Sequence, residues 1–312
     1  MRDISSYLPV EWLAGTPVVH RVKYLRNRAL ERVFRASGAR QRDRFLDENA
    51  QIGRNQLAVT IAFNMPWVIE LFLRTARLNM PDASVIVADN SSKDEARTEI
   101  AALCRSFGVA YVGLPRNPEW HPNRSHGIAM NWAYHNLVRA LDPDVFAFLD
   151  HDMFALDPFD LAAKVSRQPV YGIRMGDVEN GPWSLWAGYS IFDYTAVKMR
   201  DLDFNYERPL RLDTGGYNWL RLYRYLDRDS LDYAGKCRAT FRDSQDDDEH
   251  YCDLNDTFAH VGGASYKPAG RDAQRIAFFQ RLVADIEQGG RWRDWLSSEA
   301  NRPASIVGSG SR

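Results

Sequence analysis

The sequence predicts an α/β fold built on a mostly parallel central sheet with helices on both faces. Apolar runs of strand length recur at Leu57–Phe63, Ala83–Ala88 and Val145–Leu149. They are apolar at nearly every position, as strands buried on both faces must be. Between the first two lies Trp67–Leu78, where Val68, Leu71, Phe72 and Thr75 keep the three-to-four spacing of a helix. Strand, helix and strand in that order imply a parallel crossover. Finally, each run stops in polar residues, most abruptly where Leu149 meets Asp150-His151-Asp152. In open α/β sheets ligands gather beyond the carboxyl ends of the strands, so two carboxylates there mark a candidate divalent-cation site.

The elements follow in order. Residues 1–55 read as a helical N-terminal arm dense in Arg and Lys between Arg21 and Arg54. Its expected packing is a solvated helix face held on the body by Val33, Phe34 and Leu46, with docking to an anionic lipid surface as the alternative. Leu57–Phe63 then opens the main domain and closes in the turn Asn64-Met65-Pro66. The second strand ends in Asp89-Asn90-Ser91-Ser92, which leads into a helix running out near Gly108. Ala110–Leu114 is a short third strand. A proline-rich polar loop, Pro115–Arg124, delivers the helix Ser125–Ala133, whose small residues would let its N-terminal turn approach an anionic ligand. The fourth strand is the acid-terminated run.

Beyond Phe159 the pattern is less regular. Val170–Ile173 and Trp186–Phe192 read as strands, and Tyr217–Leu226 as an aromatic, Arg-rich helix after Asp213-Thr214-Gly215-Gly216. The acidic run Asp243–His250 reads as a solvated loop before Phe258–Ser265. Gln274–Ile286 is a final helix, and the tail 301–312 is expected to be disordered.

Composition removes several function classes. Lys+Arg 40 against Asp+Glu 41 gives a net charge of -1, which lacks the basic footprint of a general nucleic-acid binder. Three cysteines, far apart and odd in number, suggest neither a zinc knuckle nor a disulfide framework, so a cytoplasmic location is expected. No apolar run approaches the ~20 residues of a membrane span. Any lipid contact is therefore peripheral, at the inner membrane face, through the Arg-rich arm.

Four features in this order give the chain its resemblance to the GT-A glycosyltransferases, and among them to family 2 of bacterial sugar transferases. They are the first strand ending in Asn64, the second ending in Asp89-Asn90-Ser91-Ser92, the loop and helix from Asn123 to Asn131, and Asp150-His151-Asp152 as the D-x-D motif. The resemblance covers roughly residues 57–265. It implies a Rossmann-like GT-A domain over 56–270, with a nucleotide-binding half at 56–160, an acceptor half at 161–270, and a C-terminal helical segment at 271–300 outside it. It also implies transfer of a sugar from a UDP-, GDP- or dTDP-sugar donor to a hydroxyl of a saccharide or lipid-linked acceptor, with inversion.

The chemistry agrees. Charge grows on a nucleoside diphosphate as the sugar bond breaks, and Mn²⁺ or Mg²⁺ held by hard oxygen ligands stabilises it. By resemblance, Asp152 ligates the metal, Asp150 contacts the ribose or the metal's water shell, and His260 completes the shell. Histidine suits Mn²⁺ better than Mg²⁺. Asp89 would accept a hydrogen bond from the base, in a pocket shared with Thr60, Phe63 and Asn64. Asn123, Arg124 and His126 would face the phosphates, and Gly188 the donor sugar. His151 falls on the opposite pleat and is left out of the shell.

Asp213 is the expected catalytic base, although the Glu-Asp pair usual in the family is absent there, and Asp246, Asp247 and Asp248 compete. Trp183, Trp186 and Tyr189 are candidate sugar platforms, with core packing the competing account, favoured for Trp186. Two other readings use the same residues. A haloacid-dehalogenase-like phosphatase also carries D-x-D after an apolar strand, but in the first strand rather than the fourth. A catalytically inactive nucleotide- or carbohydrate-binding protein would keep the cleft and lose the base.

Overall fold

The structure is a computed structural model that describes residues 4–119, 121–176, 181–243, 249–262 and 272–297, apart from the side chains of Arg208 and Asp272. Three helices come first: α1 (Pro9–Leu13), α2 (Thr16–Ala36) and α3 (Ala39–Glu48). The main domain then runs β1 (Gln56–Ala62), α4 (Pro66–Asn79), β2 (Ser84–Asp89), α5 (Asp94–Phe107), β3 (Ala110–Gly113) and α6 (Pro122–Ala133). A π-helical turn at Tyr134–Val138 carries α6 into α7 (Arg139–Leu141). Next come β4 (Val145–Leu149), β5 (Met153–Ala155), α8 (Leu161–Val165), β6 (Val170–Met175), β7 (Ser184–Asp193), α9 (Tyr194–Val197) and α10 (Asn218–Arg221). The chain closes with β8 (Lys236–Arg242), β9 (Glu249–Asn255), β10 (Phe258–His260) and α11 (Asp272–Glu287).

The central sheet has six strands in the order β3-β2-β1-β4-β7-β6. The first four are parallel, and β7 pairs antiparallel with both β4 and β6. Alternation sends the side chains to two different cores. Ala58 and Ala62 of β1 with Ala147 and Leu149 of β4 face α4, α5 and α11. Leu57, Val59 and Ile61 with Phe146 and Phe148 face α6, together with Phe34 of α2 and Phe45 of α3. Burial on both faces is why these strands read as unbroken apolar runs.

A second, antiparallel sheet, β5-β10-β9-β8, packs on the first of these faces. Its hairpin was not predicted: Lys236, Arg238 and Arg242 are exposed while Ala239 and Phe241 are buried, so the strand looks polar in sequence. The acidic pair lies where the chain turns from one sheet into the other. Met153 N–H donates to the Asp150 carbonyl (3.1 Å), turning β4 into β5 across Asp150–Asp152.

Several expectations change. Residues 217–226 form only the short α10 and a 3₁₀ turn at Tyr223–Tyr225, not one helix. Val33 points outward, 69% exposed, and only Phe34 of that pair anchors the arm. Asp243, at the head of the acidic run, is buried and paired with Arg281 of α11 (2.5 Å). Asp246, Asp247, Asp248, Gly263 to Ser265 and the tail lie outside the described residues.

Candidate functional site

Beyond the carboxyl ends of β1, β2 and β4 opens a cleft of about 710 Å³. Asp150 and Asp152 reach it because β4 ends there, and His260 because β10 pairs with β5 in the register His260 to Met153. Val261 N–H donates to the Asp152 carbonyl (3.0 Å), tying the end of β10 to the acidic turn. Ligand atoms of Asp150, Asp152 and His260 all lie within 4.8 Å of one another. Two carboxylates and an imidazole suit Mn²⁺, and this donor set fits the cation expected from the sequence.

The electrostatics agree. Burial would raise the Asp152 pKa, but the hydrogen bond and charge of His260 hold it below the usual carboxylate range. Burial would lower that of His260, yet Asp152, with Oδ1 at 3.4 Å from Nε2, pushes it up. A group that already draws a positive partner to this point can draw a metal ion in its place. His151 lies outside the cluster because the turn, not a continued strand pleat, directs its Nδ1 to accept from the Phe63 N–H (3.2 Å).

Gly188 is set by close approach. A Cβ there would collide with the Asp150 carboxylate and the Trp186 ring, while its own carbonyl accepts from Asp150 N–H (2.8 Å). Trp186 is half-buried on the cleft wall with its ring 4.8 Å from that of His260. With Phe63, it offers the cleft an aromatic surface among the described residues. Trp183 and Tyr189 are core residues, packed on the Tyr223 ring and hydrogen-bonded to Asp256 respectively. Trp186 also packs against the core, as expected, while its remaining surface lines the cleft.

Also lining the cleft, Asp213 accepts through Oδ1 from Asn123 Nδ2 (2.6 Å) and from the Thr214 N–H (2.8 Å). Its Oδ2 has no partner among the described residues. His126 stands with Nε2 3.7 Å from Asp150 Oδ1, and burial keeps its pKa low although that carboxylate pulls the other way. The cleft therefore brings together Phe63, Asn123, His126, Asp150, Asp152, Gly188, Asp213 and His260.

Four named residues do not reach the wall. Thr60 is fully buried in β1. Asn64, at φ 54°, has its side chain on Ser92 and Lys93, joining the ends of β1 and β2. Asp89 is buried, with its oxygens taken by Ser91 N–H (2.8 Å) and the Tyr111 hydroxyl (3.0 Å). Arg124 is paired with buried Glu119 (2.5 Å). Their places on the wall are taken by Asn90, Ser91, Ser92, Arg116 and Asn117, to which the sequence reading gave no role. Asn117 Nδ2 donates to Asn90 Oδ1 and to the Ser125 carbonyl (both 3.0 Å), knitting the proline-rich loop to the end of β2. Its polarity between an apolar strand and a helix was the one available signal. Gly127 likewise serves packing: a Cβ would meet the Phe204 carbonyl at 2.9 Å.

No protein-family model matches the chain, and no curated protein matches it. Among solved structures it is similar to TarS of S. aureus, with 16% identity over 48% of this chain and 30% of that one, at a TM-score of 0.34. It is similar also to the mannosyltransferase PcManGT from Pyrobaculum calidifontis in complex with GDP-Man and Mn²⁺, with 12% identity over 55% of each chain, at 0.34. A third is the glucosyl-3-phosphoglycerate synthase from Mycobacterium tuberculosis, in complex with Mn²⁺, UDP and glucosyl-3-phosphoglycerate, with 15% identity over 50% of this chain and 62% of that one, at 0.32. The chain spans less than two thirds of the length of each of these proteins.

Proposed function

We propose that the chain is a metal-dependent glycosyltransferase of the GT-A type, moving a sugar from a UDP-, GDP- or dTDP-sugar to a hydroxyl of a saccharide or lipid-linked acceptor, with inversion. The observation that carries this is that the Asp150, Asp152 and His260 donor set and Asp213 line one cleft. Asp152 and His260 would hold Mn²⁺ or Mg²⁺, with Asp150 on the same ion or on its water. When bound, that ion stabilises the negative charge of the departing nucleoside diphosphate.

The protein's own residues do the rest. Asn90 and Ser91 would receive the base and ribose, with Asp89 holding their loop from behind. Trp186 would offer its face to the C–H surface of a sugar. Gly188 leaves the space in which Asp150 and the donor sugar meet. Asp213 would take the proton from the acceptor hydroxyl as that oxygen attacks the anomeric carbon. With Oδ1 held by Asn123 and Thr214, the unengaged Oδ2 is the atom for that transfer. Attack on the face of the anomeric carbon opposite the leaving group would make the outcome inverting.

Thermal shifts with UDP-, GDP- and dTDP-sugars, with and without Mn²⁺, test this reading. A ligand at 100 times its Kd stabilises the native state by about 2.7 kcal/mol. A shift that needs both nucleotide and Mn²⁺, and that Asp152→Asn abolishes, is expected. Absence of any metal-dependent shift would sink it. Asp213→Asn should keep the shift and lose transfer, whereas a wild type that binds donor but neither transfers nor hydrolyses it would be a binding protein.

A further inference from the structure

Helix α2 is amphipathic in reverse. The face toward the body carries Tyr24, Arg28 and Glu31, and Arg28 bonds to Asp203 (2.7 Å) and Glu31 (3.1 Å) beneath it. The face toward solvent is apolar: Val18, Val22, Leu25, Ala29 and Val33 recur at three- and four-residue steps, so they form one stripe. All are exposed, Val18, Val22 and Leu25 at 62%, 60% and 59%. The stripe continues the apolar character of the preceding segment, where Leu8, Val10 and Leu13 are also exposed.

Basic side chains flank it. Arg21 and Arg32 lie along one edge, Lys23 and Arg26 along the other, and none has a carboxylate partner among the described residues. From Thr16 to Leu30 there is no acidic residue. No helix among the described residues is long and apolar enough to cross a membrane. An apolar stripe between basic edges is the pattern of a helix that lies in the plane of a bilayer surface, its apolar side at the acyl boundary and its cations among anionic headgroups.

We propose that the outer face of α2 docks the protein on an anionic lipid bilayer. A second copy is the poorer occupant, since a two-fold contact would set these unpaired cations against their own equivalents. Docking through this face leaves the buried contacts of α2 undisturbed. Those contacts include Asp203 and the Tyr217 ring, which Arg28 covers at 4.7 Å. The segment between them carries Asp213 and Thr214 of the cleft wall. A docked helix would therefore be tied, through Arg28, to the segment that carries part of the cleft wall. That suits a lipid-linked acceptor, a corollary that rests on the transferase reading although the docking itself does not.

Co-sedimentation of the full chain with vesicles tests the docking without measuring turnover, so its failure and that of the transferase reading are distinguishable. Binding is expected to vesicles of phosphatidylglycerol and phosphatidylcholine in near-physiological salt, and not to phosphatidylcholine alone. Val18→Ser, Val22→Ser and Leu25→Ser together should weaken it at least about tenfold, and so should Arg21→Gln with Lys23→Gln, Arg26→Gln and Arg32→Gln, since each cation near the surface contributes about 1 kcal/mol. Circular dichroism checks that these exposed substitutions leave the fold intact, and either variant alone is decisive. The proposal fails if the wild type ignores anionic vesicles or if the serine variant binds them as well as the wild type does. It fails also if light scattering shows a dimer that the serine substitutions dissociate.

Discussion

Gly188 and Asp150 occupy the same few cubic ångströms, and that crowding decides what each can be. The Asp150 carboxylate lies where a Cβ on residue 188 would stand, with the Trp186 ring on its other side. Since Asp150 N–H is also tied to the Gly188 carbonyl, the backbone cannot move aside without dragging the carboxylate. Gly188→Ala should therefore displace a candidate metal ligand. We expect a loss of Mn²⁺ affinity of about 10–100-fold, the range for disturbed ligand support, measured by titration calorimetry. Unchanged affinity would show that Asp150 does not touch the ion. The same side chain was legible in sequence as a carboxylate ending an apolar strand, but its need for glycine opposite was not, because the two residues meet only across the β4–β7 pairing.

At the scale of elements, α2 is held by a buried charge network as well as by Phe34 in the core. Glu31 and Asp203 are both buried and share Arg28, Asn131 and Asn205 between them. Burial and the nearby Asp203 push the Glu31 pKa up. Burial would do the same to Asp203, but Arg28 holds it below the usual range. Arg28→Ala would leave two buried carboxylates facing each other, and removing one partner of a buried network costs about 3–5 kcal/mol. The expected result is a fall of that order in urea denaturation, part of it recovered by adding Glu31→Gln. A change below about 1 kcal/mol would mean that the arm is not anchored here. Sequence periodicity found this helix but gave Val33 the wrong side, because the polar face is the one that is buried.

Across the whole molecule, stability should carry a pH signature from the junction of arm and domain. His135, in the π-helical turn after α6, faces Arg35 of α2 through Nε2 (3.1 Å) and Arg139 through Nδ1 (3.3 Å). Burial first, then the charge of Arg35, depress its pKa to about 4. The unfolded chain, near the ordinary 6.5, binds a proton that the folded chain refuses between those values. This contribution is therefore full above about pH 6.5 and is lost as pH falls toward 4. The Tm should drop by about 4 °C between pH 7 and pH 5 on this account, taking 2–4 °C per kcal/mol. His135→Gln should be flatter over that window, and a parallel decline in both proteins would exclude His135 as the cause.

The sequence by itself determined the parallel half of the sheet and the acid pair at its edge. Strands buried on both faces are apolar throughout, and carboxylates at such a strand's end have no packing reason to be there. Helix α4 was legible from periodicity, α5 from the polar residues that lead into it, and α11 as a final helix. What the tertiary structure decided are the features set by a partner distant in the chain. It joined β5, β10, β9 and β8 into a second sheet that carries His260 to Asp152, and it left Trp186 half-buried on the cleft while burying Trp183. It closed Asp89 and Arg124 off behind Tyr111 and Glu119, and it turned the apolar stripe of α2 to solvent. A residue's polarity records the environment it prefers, and only the packed chain shows which neighbour supplies that environment.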